Sequence, residues 1–408
     1  MKKSSSKFLG IVVFVLLCGI FIVPEKTKII CILALAMLMV QFFIGNRNMR
    51  ITNQSVILLW ILFLIIGTMM SLINGLNLNT AIEFAISIFI GGVIGNVYIN
   101  EPSRKAIIKA ILLVAVVALV GSIMQITVPG ILSKITSTTL GPEKYYYFRD
   151  FTSYGALVGF SYQTGVNGFY LAVLAGMVFC YFLQLKPNQS FCRLVTIILF
   201  VGVYALVLLT KKRSQLLTVL LLVIALYVIY NRKNALKVLA ISGILILGAA
   251  VILVFTETGQ TIIARTFGEG ASLTGRDRIY PILWENFKRS PFFGNGFGYT
   301  LKTVKDFTNG HNVYLQVLSE NGILGFGIYM GIIVSCLIQA YRLLKELIRA
   351  KEDSFLCSVC LYLEGLFVLN GMFGNPLYDV FPVIVFMIAS GIVSSQLKAR
   401  KVVAKGNK

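Results

Sequence analysis

Apolar runs separated by short polar breaks fill this chain from end to end. They lie at about 8–23, 28–45, 55–74, 81–99, 106–128, 165–185, 192–210, 214–230, 235–256, 312–341, 355–375 and 379–397. Most are close to the roughly 20 residues that carry a helix across about 30 Å of hydrocarbon. The pattern predicts an all-α polytopic integral membrane protein with about 12 transmembrane helices. Two longer segments, 129–164 and 257–311, break the rhythm. In the second, Ile279, Ile282, Leu283 and Phe287 recur at helical spacing with Trp284 beside them, and Glu285, Lys288 and Arg289 take the other face. That is a short amphipathic helix suited to lie along a membrane surface. Ser290-Pro291 ends it, and Gly294, Gly296 and Gly298 read as a flexible turn.

Composition supports the class. Hydrophobic residues make up 57% of the chain and charged residues 13%; mean hydropathy is +0.84. A soluble domain of this length would carry more polar surface. No linker, low-complexity block or internal repeat divides the sequence, so residues 1–408 read as one integral membrane domain. The basic start Met1-Lys2-Lys3 and the apolar run after it resemble a signal peptide, but no small-residue cleavage site follows. The run reads as a retained first helix. The seven cysteines lie in or beside spans, and their odd number argues against a disulfide framework.

Net charge is +21, and its placement gives the orientation. With a cytoplasmic N-terminus, the inner connections carry Lys2, Lys3 and Lys7, then Arg47 and Arg50, then Arg104, Lys105 and Lys109. Later ones carry Lys186 and Arg193, Arg232 and Lys233, and Arg342, Lys345 and Arg349, and the tail adds Lys398 and Arg400. This follows the positive-inside rule and leaves both termini cytoplasmic. The exceptions are informative. The Lys211-Lys212-Arg213 cluster and the basic residues of 129–164 and 257–311 fall on the outer face, where Lys and Arg are normally scarce. General attraction to anionic membrane lipid is one explanation; a specific anionic partner is the other. No nucleic-acid partner is expected.

His311 is the only histidine. At a helix N-terminus among arginines it should favour the neutral imidazole, since positive charge and the helix dipole oppose protonation. A neutral imidazole can take a proton from a hydroxyl group. Asp277, between Arg276 and Arg278, reads as an ion-pair partner. Glu320, near or within a span, is either functional or a tie between helices. Gly327 and Gly331 have the spacing of a helix-packing motif. Tyr145-Tyr146-Tyr147-Phe148 reads equally as a sugar platform or an interfacial anchor. There is no Asp-x-Asp and no His/Cys cluster with ligand spacing, so neither metal nor cofactor is expected.

Several of these stretches resemble the O-antigen polymerase and O-antigen ligase family. They are His311-Asn312-Val313-Tyr314-Leu315 with Glu320-Asn321-Gly322-Ile323-Leu324-Gly325, and Gly275-Arg276 with Trp284 and Ser290-Pro291-Phe292-Phe293-Gly294-Asn295-Gly296-Phe297-Gly298. Thr210–Ser214 is similar to the family's helix-end Ser-Arg motif; Arg213 is the match, and Lys212 stands where Ser is usual. Arg149 with Gly165 and Asn167 resembles an earlier outer-face motif. The resemblance implies a GT-C-like glycosyltransferase of the bacterial plasma membrane. It would work on the extracytoplasmic face, without a metal, on a polyprenyl-diphosphate-linked glycan. It leaves room for a chain-length regulator as a further partner. His311, Arg276 and Arg213 would then be the catalytic set, with Arg278, Arg149, Asn312, Lys212 and Trp284 binding substrate. Arginine's planar fork suits the diphosphate oxygens. The activities it admits are polymerisation of repeat units into surface polysaccharide (O-antigen, capsule or exopolysaccharide) and ligase-type transfer to another acceptor. A lipid-linked glycan flippase is a third reading, disfavoured because the helix centres carry few charges.

Overall fold

The computed structural model describes residues 3–45, 53–97, 100–234, 236, 243, 275–304 and 309–406. Apart from residues 236 and 243, the helix expected over 235–256 lies outside them, as do residues 257–274 and 305–308 of the expected main loop. The helices are α1 (Lys3–Ile22), α2 (Thr27–Gly45), α3 (Gln54–Ile73), α4 (Asn79–Val97), α5 (Glu101–Thr127), α6 (Pro129–Thr139), α7 (Pro142–Ser153), α8 (Thr164–Gln184), α9 (Ser190–Leu209) and α10 (Arg213–Tyr230). After the gap come α11 (Arg276–Arg289), α12 (Tyr299–Thr303), α13 (Val313–Ala350), α14 (Phe355–Gly371) and α15 (Val380–Gly406). No strand occurs among the described residues.

Seven of these helices, α3, α5, α8, α9, α10, α13 and α15, are long and apolar enough to cross a membrane. With α1 and α2, which qualify only as a pair bent by 116°, the number is up to 8. The α4 and α14 helices are apolar but shorter. The protein is thus a multi-pass membrane protein with fewer clear-cut spans among the described residues than the hydropathy pattern suggests.

Burial sorts the helices into centre and rim. Within their most apolar stretches, 83% of α15 and 78% of α8 is buried in protein, against 17% of α9. The α4 and α15 helices cross closely because glycine meets glycine: a Cβ on Gly391 would lie 2.3 Å from the Gly95 backbone. With little hydrophobic drive between helices in lipid, such small-residue contacts and aromatic packing hold the bundle. Trp60, fully buried on α3, packs edge-on against Phe63, Tyr329 and Phe386.

Polar contacts gather at the two ends of the bundle. At one end Tyr230, Ser354, Ser358 and Gln184 share hydrogen bonds, Arg104 donates to Ser395, and Arg400 pairs with Glu352. At the other, Gln125 binds the backbone at Ala156, Val158 and Gly159, and the Leu157 N–H donates to the Leu209 carbonyl. Lys144 pairs with Glu25, Asn74 donates to the Asn295 carbonyl, and Arg276 donates to Phe373. Segments that the sequence places on the outer face therefore meet at one end.

Candidate active site

Three segments converge at that second end. The first is the turn between α9 and α10. Thr210, fully buried, donates to the Val207 carbonyl at 2.7 Å and accepts the Lys212 N–H. Lys211 adopts the left-handed region, φ 59°, and its ammonium donates to the Tyr154 carbonyl. Gln215 reaches Gly165 at the start of α8. The Lys212 side chain runs beside Gly165. The residue as a whole is exposed, yet its ammonium end is enclosed enough that burial, followed by the Arg276 charge, lowers its pKa. Arg213 opens α10 as an exposed residue.

The second segment is α11, which forms as the apolar spacing predicts. Ile279, Leu283 and Asn286 are buried, while Asp277, Arg278, Glu285, Lys288 and Arg289 are exposed. Gly275 caps the helix with φ 77°. Arg276, at the first helical position, donates one terminal nitrogen to the Phe373 carbonyl at 2.8 Å. Its Nε is buried without a hydrogen-bond partner. Trp284 keeps 48% of its surface exposed, with Phe287 5.2 Å away between ring centroids. Among the described residues Asp277 forms no salt bridge with either neighbouring arginine. The Arg276 guanidinium is turned to Phe373 instead.

The third segment is 309–312. His311 has φ 52°, unusual for a residue with a side chain. The Gly310 N–H donates to the Gln316 side-chain oxygen at 2.7 Å. The Asn312 side chain accepts the Leu315 N–H at 3.1 Å, so it caps α13; asparagine suits that position because its oxygen satisfies an orphan helix N–H. The His311 pKa is lowered, first by burial, then by Arg276, then by Lys212. The sequence anticipates an arginine charge, here Arg276; the Lys212 contribution and the larger burial effect appear only in three dimensions.

His311, Arg276 and Lys212 are thus electrostatically coupled. Arg213, Arg278 and Arg149 are exposed at the same end, and none of them contributes to the shifts of His311 or Lys212.

The glycine-rich turn differs from its sequence reading. It is wedged in place rather than flexible. Gly294, Gly296 and Gly298 all take positive φ, and a Cβ on Gly296 would lie 2.3 Å from Ser71 N. Phe297 is fully buried against Phe63 and Phe84. The turn docks on a break in α13, where Gly322 has φ 63° and ψ −169°. There the Gly296 N–H donates to Glu320, Ile323 N–H to Pro291 and Leu324 N–H to Phe292. The backbone groups freed by the break are satisfied by the turn, as helix-breaking glycine within a bundle requires. Among the described residues Gly327 and Gly331 pack against no helix: a Cβ on either would meet none of them within 4 Å.

Residues 197–330 match a family model described as O-antigen ligase. No curated protein matches the chain. The matched interval runs from α9 to just past the Gly322 break and encloses Lys212, Arg213, Arg276 and His311. Over that third of the chain the protein is similar to the O-antigen ligase family, and its apolar helices are those of a multi-pass membrane protein.

Proposed function

We propose that the protein is an extracytoplasmic-face glycosyltransferase that polymerises polyprenyl-diphosphate-linked oligosaccharide repeat units into surface polysaccharide. The observation that carries this reading is a single, half-buried imidazole at the mouth of α13, held toward its neutral form by burial and then by two cations, Arg276 and Lys212. The donor diphosphate, anionic and at headgroup level, supplies the charge those cations lack. The acceptor hydroxyl oxygen attacks the anomeric carbon and forms the new glycosidic bond. The bond from that carbon to the diphosphate oxygen breaks, and the leaving group departs with the electron pair. His311 accepts the hydroxyl proton. Arg276 and Lys212 stabilise the departing diphosphate, with Arg213, Arg278 and Arg149 lining the approach. Trp284 and the capping residue Asn312 lie on the elements that flank His311. Donor binding has a second effect: its negative charge offsets Arg276 and Lys212, so the imidazole becomes a stronger base once the donor is seated. A single displacement inverts the anomeric centre.

The family description favours a second reading, transfer of finished glycan to another acceptor. Deleting the gene separates the two. Loss of a polymerase leaves single repeats on their normal acceptor, whereas loss of a ligase leaves long chains on the carrier lipid. In a strain carrying only His311→Ala, polymer should vanish while the protein stays in the membrane. Polymer of wild-type length in that strain would remove the site assignment.

A further inference from the structure

Glu320 and Gln316 lie fully buried beside the site, and the chemistry above uses neither. Glu320 Oε1 accepts the Thr300 N–H at 3.1 Å and the Gln316 Nε2 at 3.2 Å, and Oε2 accepts the Tyr378 hydroxyl at 2.9 Å. Gln316 Nε2 also donates to Asn309 Oδ1 at 3.3 Å, and its Oε1 accepts the Gly310 N–H. A backbone N–H can only donate. Thr300 therefore fixes Glu320 Oε1 as an acceptor in either protonation state, and Gln316 must turn its NH2 group toward it. That leaves the Gln316 oxygen for Gly310, the residue before the strained His311. A Cβ on Gly310 would lie 3.0 Å from that oxygen and 2.8 Å from Leu283, so the contact is built for glycine.

We propose that Gln316, oriented by Glu320, is the positioning residue that holds the 309–311 backbone and sets the His311 imidazole against Arg276 and Lys212. This rests on His311 being the base. Glu320 acts here as a hydrogen-bond acceptor, and its role needs no proton transfer.

The test compares purified full-length variants turning over a polyprenyl-diphosphate-linked repeat unit. Gln316→Met removes all three side-chain hydrogen bonds at similar size. It should lower kcat by about 100-fold, the scale of an ångström-level misplacement, with the donor KM nearly unchanged. Its acid limb should also move up in pH as the imidazole leaves Arg276 and Lys212. Glu320→Gln keeps an acceptor toward Thr300 and Gln316 and places its NH2 on the Tyr378 oxygen. It should keep kcat near the wild-type value. If Gln316→Met does not purify, Gln316→Asn, whose amide is withdrawn by one methylene, takes its place. Wild-type kcat in the Gln316 variant would overturn the proposal. So would a Glu320→Gln loss as large as that of Gln316→Met, which would mean that Glu320 acts through its charge or proton. His311→Ala, run alongside, separates the two readings: if it transfers normally the base assignment fails, and if only it is inactive the positioning role alone falls.

Discussion

Gly322→Ala should be among the most damaging small substitutions in this protein. The residue sits at φ 63° and ψ −169°, a region open almost only to glycine and costing other residues on the order of 1–3 kcal/mol. The added methyl would lie 2.4 Å from the Phe292 carbonyl oxygen and 2.6 Å from Gly294 N, so the glycine-rich turn must retreat. Retreat breaks the hydrogen bonds from Ile323 to Pro291 at 2.8 Å and from Leu324 to Phe292 at 3.2 Å, each contributing about 1 kcal/mol net. Together these give about 3–5 kcal/mol. Gly327→Ala is the matched control. It lies in the same helix in open space and should be neutral or stabilising by up to about 1 kcal/mol. Unfolding in mixed micelles with rising sodium dodecyl sulfate reads both. A Gly322→Ala midpoint within about 0.5 kcal/mol of wild type would show that the break is not held by the turn.

Four further outcomes concern the site and one buried acid. The base form of His311 is the neutral one, and burial, Arg276 and Lys212 lower its pKa from the ordinary 6.5, so transfer should persist to lower pH than an unperturbed histidine allows. Lys212→Met removes one of those charges and should move the acid limb of kcat/KM upward in pH; an unchanged limb would contradict the coupling. Arg276→Lys loses the planar fork that donates to Phe373 and that, under the proposed mechanism, would hold the diphosphate; it should cut transfer about tenfold or more, roughly 1.4 kcal/mol, as measured by initial rates. Glu364 is fully buried in α14, and neither carboxylate oxygen has a hydrogen-bond partner among the described residues. Glu364→Met should therefore be neutral or stabilising by about 1–3 kcal/mol in the same unfolding assay, and marked destabilisation would reveal an unrecognised partner.

Hydropathy alone makes the membrane class legible, and the period of Ile279, Leu283 and Phe287 predicts α11 almost to its ends. The Gly322 break is not legible that way, because Glu320-Asn321-Gly322 continues an apolar helical run. What stops the helix is a turn some 25–30 residues earlier, with complementary backbone groups. The glycines of that turn read as freedom in the sequence and act as close contacts in the fold. His311 and Arg276 are visible as a lone imidazole and a Gly-Arg helix start. That Lys212 is the one of the adjacent pair whose charge acts on His311 is not, since adjacent residues at a helix end point in different directions. The proposed Gln316 clamp is not legible in the sequence, because a buried glutamine has no sequence signature. Its signal is only Gln at one turn past the Asn312 cap, facing Glu320 four residues on.

The most direct test is single-turnover transfer from a purified polyprenyl-diphosphate-linked repeat unit in proteoliposomes. Wild-type protein should release polyprenyl diphosphate and form a glycosidic bond of inverted configuration. The His311→Ala protein should bind the donor and form no bond. Retained configuration, or bond formation by His311→Ala at the wild-type rate, would contradict an imidazole-assisted displacement at this site.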